Sequence, residues 1–119
     1  MEELLQRLRE FRDARNWDQF HDLKNLAISV TLEAAELLQI FQWLSPKDHL
    51  SASQREAVAS ESADILVYLI YLCDKLDIDL IACTGQKIER NEKRYPVDAS
   101  RDIAGTAGRA DGGAPPEGH

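Results

Sequence analysis

Between residues 23 and 43, apolar side chains occupy two sides of one helical stretch, and this constrains the fold more than any other feature of the chain. At about 100° per residue, Leu23, Leu26, Ala27, Val30, Ala34, Leu37, Leu38 and Phe41 form one broad stripe, while Ile28, Leu32 and Ala35 form a second on the opposite side. A helix that is apolar on two sides needs two layers of cover. A chain of 119 residues with 44% hydrophobic content has material for one domain and one core. The second face is therefore expected to be covered by another subunit. Asp22 directly precedes the stretch and suits its N-cap, and Ser45 and Pro46 end it.

The remaining sequence supplies three more helices. Leu4, Leu5, Leu8 and Phe11 recur at helical spacing from residue 2 to about 15, with Glu2 and Glu3 at the positive helix start. Residues 16–21 (NWDQFH) break that pattern with turn composition. The polar stretch 47–53 reads as a loop closing on a capping box, Ser53 with Glu56, that opens a helix running to about residue 76. Ile65, Leu69, Leu72 and Leu76 are its core face. Asp79 caps a fourth helix from residue 80 to about 94, which Tyr95 and Pro96 stop, because proline disfavours helical geometry in the residue before it. No stretch alternates as a strand does. The expected fold is all-α, a four-helix bundle spanning 1–97. Residues 98–119, rich in Gly, Ala, Asp and Pro, lack the apolar surface to offset their ordering entropy and are expected to be a disordered tail.

Composition excludes several classes. Fourteen Lys and Arg against twenty-one Asp and Glu give a net charge of -7, which repels nucleic-acid phosphates. Cys73 and Cys83 lie among apolar residues without CxxC spacing and read as reduced core thiols of a reducing compartment. The charged start MEELLQRLREFRD carries no apolar signal core, and no apolar run reaches the roughly 18 residues of a membrane span. The expected location is cytoplasmic, with neither membrane nor nucleic acid as partner.

Chemistry enters through carboxylate pairs three residues apart: Glu33 and Glu36 in VTLEAAELL, then Glu61 and Asp64 in ASESADILV. Residues at i and i+3 share a helix side. If the two helices pack side by side, four carboxylates converge, and such a cluster is stable only when protonated or neutralised by a multivalent cation. An all-oxygen ligand set favours hard ions such as Mg²⁺, which completes its shell with water and phosphate. A single pair of this kind is ordinarily solvated surface charge, but both pairs here are embedded in apolar sequence, where surface charge is awkward. A di-iron bundle needs Glu-x-x-His pairs, and neither pair has the histidine. No Walker-type glycine loop is present, so phosphate binding does not rest on a P-loop.

The run NWDQFHDLKNLAISVTLEAAELLQIFQW, then ESADILVYLIYL and KIERNEKRYPVDASR, resembles the all-α nucleotide pyrophosphohydrolases of the MazG-like superfamily. Within it the likeness is to the dCTP pyrophosphatase branch, through the elements WxQFH, ExxELxxxFQW, ExxDxLxY and RYP, and it covers about residues 5 to 101. The resemblance implies that Glu33, Glu36, Glu61 and Asp64 bind Mg²⁺ and that Trp17, His21 and Trp43 belong to a nucleobase pocket, where aromatic rings stack on a flat base. His21 is given a binding role, not proton transfer. Tyr68, one turn after Asp64, has its hydroxyl placed for the metal or phosphates, or else stands half-buried with its OH in water. Lys87, Asn91 and Arg94 lie along one side of the fourth helix. Cations there also pair with the negative helix end, but in the related enzymes this region, with Tyr95 of the RYP element, helps hold the triphosphate. Lys24 and Asn25 are further substrate-binding candidates.

The implied reaction is hydrolysis of dCTP, with modified forms such as 5-methyl-dCTP included, to the monophosphate and pyrophosphate, a housecleaning role in the nucleotide pool. Glu36 is the expected catalytic carboxylate, orienting or deprotonating the attacking water. Another nucleoside triphosphate is the nearest alternative substrate, and a non-catalytic helical interaction module is the alternative outside enzymes. The resemblance also implies a homotetramer built as a dimer of dimers.

Overall fold

The computed structural model describes residues 1–100, and of residues 99 and 100 only the backbone. Four helices form as the periodicity predicts: α1 (Glu2–Ala14), α2 (Leu23–Phe41), α3 (Ala52–Lys75) and α4 (Leu80–Arg94). No strand occurs among the described residues. Two short elements were not foreseen. The turn sequence after α1 winds into a 3-10 turn at Trp17–Phe20, and Val97–Ser100 adds a one-turn helix, α5. The expected tail thus begins inside a helical turn, and its remainder lies outside the described residues.

Helix starts follow local chemistry. The Asp22 carboxylate accepts from the Asn25 N–H at 2.7 Å, and that of Asp79 accepts from the Ala82 N–H at 3.0 Å. Each satisfies one of the donors that a helix start leaves unpaired. The box opening α3 is two residues earlier than the sequence reading put it. Ser51, not Ser53, accepts from the Gln54 N–H at 3.1 Å, while the Gln54 side chain accepts from the Ser51 N–H at 2.7 Å. The segment offers the same spacing twice, at 51 and 54 and at 53 and 56, and the earlier choice brings two more residues into the helical ladder. α3 ends in a Schellman arrangement: Ile78 N–H donates to the Cys73 carbonyl at 2.9 Å and Asp77 N–H to that of Asp74 at 3.2 Å. Asp77 holds the left-handed position, at φ 54°, that glycine usually takes.

The chain divides after Ile78 into two units. In the first, α2 packs along α3 and α1 rests on α3. The half-buried and buried positions of α2 are Leu26, Ser29, Val30, Glu33, Leu37 and Ile40, a stripe of i, i+3 and i+4 steps with a glutamate in its middle. α3 carries two such stripes. Gln54, Ala57, Val58, Glu61, Ile65, Tyr68 and Leu72 form one, and Val67, Ile70, Tyr71 and Asp74 form another that meets α1.

Only Leu26 (1% exposed), Ile70 (4%) and Tyr71 (4%) are buried among the described residues. This corrects the expected core. Of the broad α2 stripe, Leu23, Ala27, Ala34, Leu38 and Phe41 are exposed; Ile28, Leu32 and Ala35 are exposed as well, on the face that was not expected to be covered within one chain. In α3 the deepest residues are Ile70 and Tyr71, one position past the predicted Leu69 face, and Leu76 is exposed. The reason is α1, which covers α3 from a side that α3 periodicity alone does not reveal. Cys73 is half-buried, but Cys83 is exposed, so the core-thiol expectation fails for Cys83.

In the second unit, α4 ends where the Tyr95 N–H donates to the Asn91 carbonyl at 2.8 Å. Ile81 and Ile88, seven residues apart on one side, are exposed. No helix among the described residues is long and apolar enough to cross a membrane.

Candidate functional site

Glu33 sits in the packing stripe of α2 between Val30 and Leu37, and Glu61 occupies the matching stripe of α3. Packing the helices therefore drives carboxylates toward one another. One oxygen each from Glu33, Glu61 and Asp64 lies within 4.8 Å of the others, with the two glutamates half-buried and the aspartate exposed. Glu36 is exposed and is not in that group, although its charge reaches Glu33 from one turn along α2.

The electrostatics of the cluster are those of an unneutralised site. The Glu33 carboxyl is pushed up to about 7, first by the Glu61 carboxylate to which it can donate when protonated, then by partial burial and by the charges of Glu36 and Asp64. Glu61 Oε1 is buried with no hydrogen-bond partner. A buried oxygen with no donor, beside a carboxyl that resists ionisation, is the condition a hard divalent cation relieves. The residues present fit such an ion.

The second constellation lies around the 3-10 turn. Trp17 is exposed and meets Phe11 of α1 edge-on at 5.6 Å between ring centres. His21 tilts against the Tyr71 ring at 4.8 Å, and its Nδ1 is buried without a partner. Burial, then the nearby Arg12 and Lys75 cations, hold His21 below its ordinary range, with Asp18 opposing them. The imidazole is neutral near pH 7 and suited to hydrogen bonding, as a binding role requires. Asn16, before the turn, takes left-handed backbone at φ 56°, a conformation asparagine tolerates better than most residues.

The other predicted residues fall as follows. Trp43 stands just past α2 and is 87% exposed. Tyr68 is half-buried, one turn beyond Asp64. Lys24 is exposed at the start of α2, and the Asn25 side chain donates to Asp22 at 2.7 Å, a bond internal to the helix cap. In α4, Lys87 and Asn91 are half-buried and Arg94 is exposed. Tyr95 is half-buried, with a buried hydroxyl that has no partner. Sequence reading missed Tyr71, whose hydroxyl donates to the Leu8 carbonyl at 2.9 Å. It also missed Arg12, which joins Asp13, Asp18 and Asp74. The signal available for Arg12 was its place on the Leu4, Leu8 side of α1, where a charged residue needs partners.

Among the described residues the chain is all-α, with a cluster of carboxylate oxygens on the packing surface of two helices. Residues 28–108 match the MazG-like family, and the chain belongs to that family. It is similar to dCTP pyrophosphatase 1 of Rattus norvegicus, 35% identical over 99 residues that cover 80% of this chain and 58% of the relative. The Homo sapiens protein of the same name is 33% identical over 96 residues, 77% of this chain and 56% of that protein. The chain thus spans less than two thirds of the length of these relatives. Among solved structures it is similar to the crystal structure of a pyrophosphatase from Archaeoglobus fulgidus, with 45% identity, a TM-score of 0.70, and coverage of 81% of this chain and 92% of that one.

Proposed function

We propose that the chain, through residues 1–97, is a Mg²⁺-dependent nucleoside triphosphate pyrophosphohydrolase that cleaves dCTP between the α- and β-phosphates, releasing dCMP and pyrophosphate. Modified cytidines such as 5-methyl-dCTP belong to the same substrate class. The observation that carries the reading is the meeting of Glu33, Glu61 and Asp64 within 4.8 Å. The names of the relatives support the same reaction class.

Glu33, Glu61 and Asp64 hold the cation, and Glu61 Oε1, buried and unpartnered, is a ready ligand atom. Bound there, Mg²⁺ supplies neutralising charge for phosphate oxygens and lowers the pKa of a coordinated water. Glu36, exposed one turn along from Glu33, joins the ligand set or orients and deprotonates the attacking water. Trp17, His21 and Trp43 take the base. Lys24, Tyr68, Lys87, Asn91, Arg94 and Tyr95 serve the triphosphate. Asn25, already bonded to Asp22, acts by fixing the helix start that bears Lys24.

The exposed Leu32, Leu38 and Phe41 support assembly into a homotetramer, a dimer of dimers, in which a neighbouring copy supplies the missing layer. The same exposed face is what would serve a non-catalytic module that binds a partner helix. The setting is cytoplasmic nucleotide-pool housecleaning. Another nucleoside triphosphate is the alternative substrate, since base choice depends on a few pocket hydrogen bonds.

The test is pyrophosphate release from dCTP with Mg²⁺ and with EDTA, in competition with dUTP, dTTP, dATP and 5-methyl-dCTP. Glu61→Gln and Asp64→Asn variants that remain folded are expected to lose about 100-fold or more of the rate, as loss of a metal ligand or charged transition-state contact typically does. Retained activity in both variants refutes the assignment.

A further inference from the structure

The 3-10 turn that presents Trp17 and His21 is closed by main-chain bonds of its own, Asn16 N–H to the Asp13 carbonyl at 3.1 Å and His21 N–H to that of Asp18 at 3.0 Å, and side chains tie it to α3. Its Asp18 carboxylate is met by two cations from different helices: Lys75 Nζ of α3 at 3.0 Å and Arg12 Nη1 of α1 at 3.7 Å. Arg12 is itself braced, by Asp13 at 2.9 Å and by Asp74 of α3 at 3.6 Å, and its side chain is only 11% exposed. Arg9 adds a second, two-pronged hold on Asp74. The network therefore fixes where Arg12 stands before it meets Asp18. On one side of Asp18, Trp17 rests on Phe11 of α1, and on the other, His21 rests on Tyr71 of α3. A half-exposed ion pair contributes little to global stability. What this one decides is where the turn sits between α1 and α3.

We propose that Asp18 is a positioning residue: held by Lys75 and Arg12, it sets the place of the turn that carries Trp17 and His21, so nucleotide binding depends on an ion pair that touches no substrate. The proposal rests on the reading that Trp17 and His21 belong to the base pocket. Loss of the pair lets both rings shift from their supporting aromatics, which weakens ground-state binding without reaching the carboxylates of α2 and α3. The expected signature is a change in KM with kcat preserved, since an interaction that serves substrate and transition state alike alters KM alone.

The experiment is steady-state dCTP hydrolysis by the full chain carrying Asp18→Asn, Lys75→Met or Lys75→Arg. Asp18→Asn and Lys75→Met are expected to raise KM about three- to fivefold with kcat within about twofold, the scale of a partly exposed ion pair. Lys75→Arg, which keeps the charge, is expected to restore KM to within about twofold of the parent. Added salt should raise KM in both the parent and Asp18→Asn, through screening of the charged triphosphate, and by a larger factor in the parent, because only the parent also has the Asp18 pair to screen. Unchanged KM in Asp18→Asn, a fall confined to kcat, or Lys75→Arg behaving as Lys75→Met overturns the proposal. Trp17→Ala and His21→Ala separate the two layers of argument. If both leave KM unchanged, the base-pocket reading fails and this proposal with it. If they raise KM while Asp18→Asn does not, the positioning role alone fails.

Discussion

The Tyr71 hydroxyl donates to the main-chain carbonyl of Leu8 across 2.9 Å, tying α3 to α1 by a bond between residues 63 positions apart. The ring around that hydroxyl is among the three most buried side chains described and also supports His21. Tyr71→Phe keeps the ring and deletes the bond, while the Leu8 carbonyl keeps its place in the α1 ladder. The expected cost is about 0.5–1.5 kcal/mol of unfolding free energy. Urea denaturation of parent and variant under matched conditions measures it, and a difference near zero shows that the carbonyl finds water instead.

Two leucines of α2 separate the core of one chain from the contact between chains. Leu26→Ala empties a site that is 1% exposed and is expected to cost about 2–5 kcal/mol. Leu38 is 66% exposed, so within one chain its substitution is nearly neutral. In a tetramer that covers α2, Leu38→Glu is expected to lower the molar mass seen by light scattering and to make the melting temperature fall on dilution. A variant whose mass and melting stay at parental values places Leu38 outside the contact.

Asp77 occupies the left-handed position of the α3 end without the conformational freedom of glycine, and its charge lies against the negative helix terminus. Asp77→Gly is expected to stabilise the protein by about 0.5–1 kcal/mol, and Asp77→Val to destabilise it by about 1–2 kcal/mol. Thermal melts of the two variants, moving in opposite directions from the parent, check this.

The raised Glu33 carboxyl gives the metal-free protein a pH dependence of defined sign. Its folded value of about 7 lies above the ordinary 4.5, so the folded state holds this proton more tightly than the unfolded chain does. The contribution to stability is full below pH 4.5 and is lost as pH rises through about 7. In EDTA, the melting temperature of the parent relative to Glu33→Gln is expected to fall across that window, and Mg²⁺ is expected to abolish the difference in slope. Subtracting the Glu33→Gln curve removes the opposite contribution of His21, whose lowered value favours the folded state above its ordinary 6.5. Parallel curves in EDTA contradict the assignment.

Much of the helical layout is legible in the sequence because its signals are local. Asp22 and Asp79 act as caps through atoms three residues away, and Pro96 stops α4 through its immediate neighbour. The choice between Ser51 and Ser53 was not legible, since both satisfy the same spacing. The carboxylate pairs are visible as a repeated spacing, but spacing alone does not tell that Glu33 is half-buried in the stripe that meets α3 while Glu36 is exposed. That depends on which side of a doubly apolar helix meets α3. Tyr71, Arg12 and Asp18 were missed for a related reason: their roles come from contacts between α1, the 3-10 turn and the end of α3, which no periodicity within one segment encodes.

α3 presents one flank to α2 through Glu61, Ile65 and Tyr68 and another to α1 through Ile70, Tyr71 and Asp74. One residue inserted between these groups swings everything beyond it by about 100°, which would carry Tyr71 and Asp74 off α1 while Glu61 and Asp64 kept their places. The count of residues from 61 to 74 is therefore expected to be held constant among relatives even where the letters drift. Insertions and deletions are expected to gather in the turn after α2, residues 42–50, where chain length sets no helical phase.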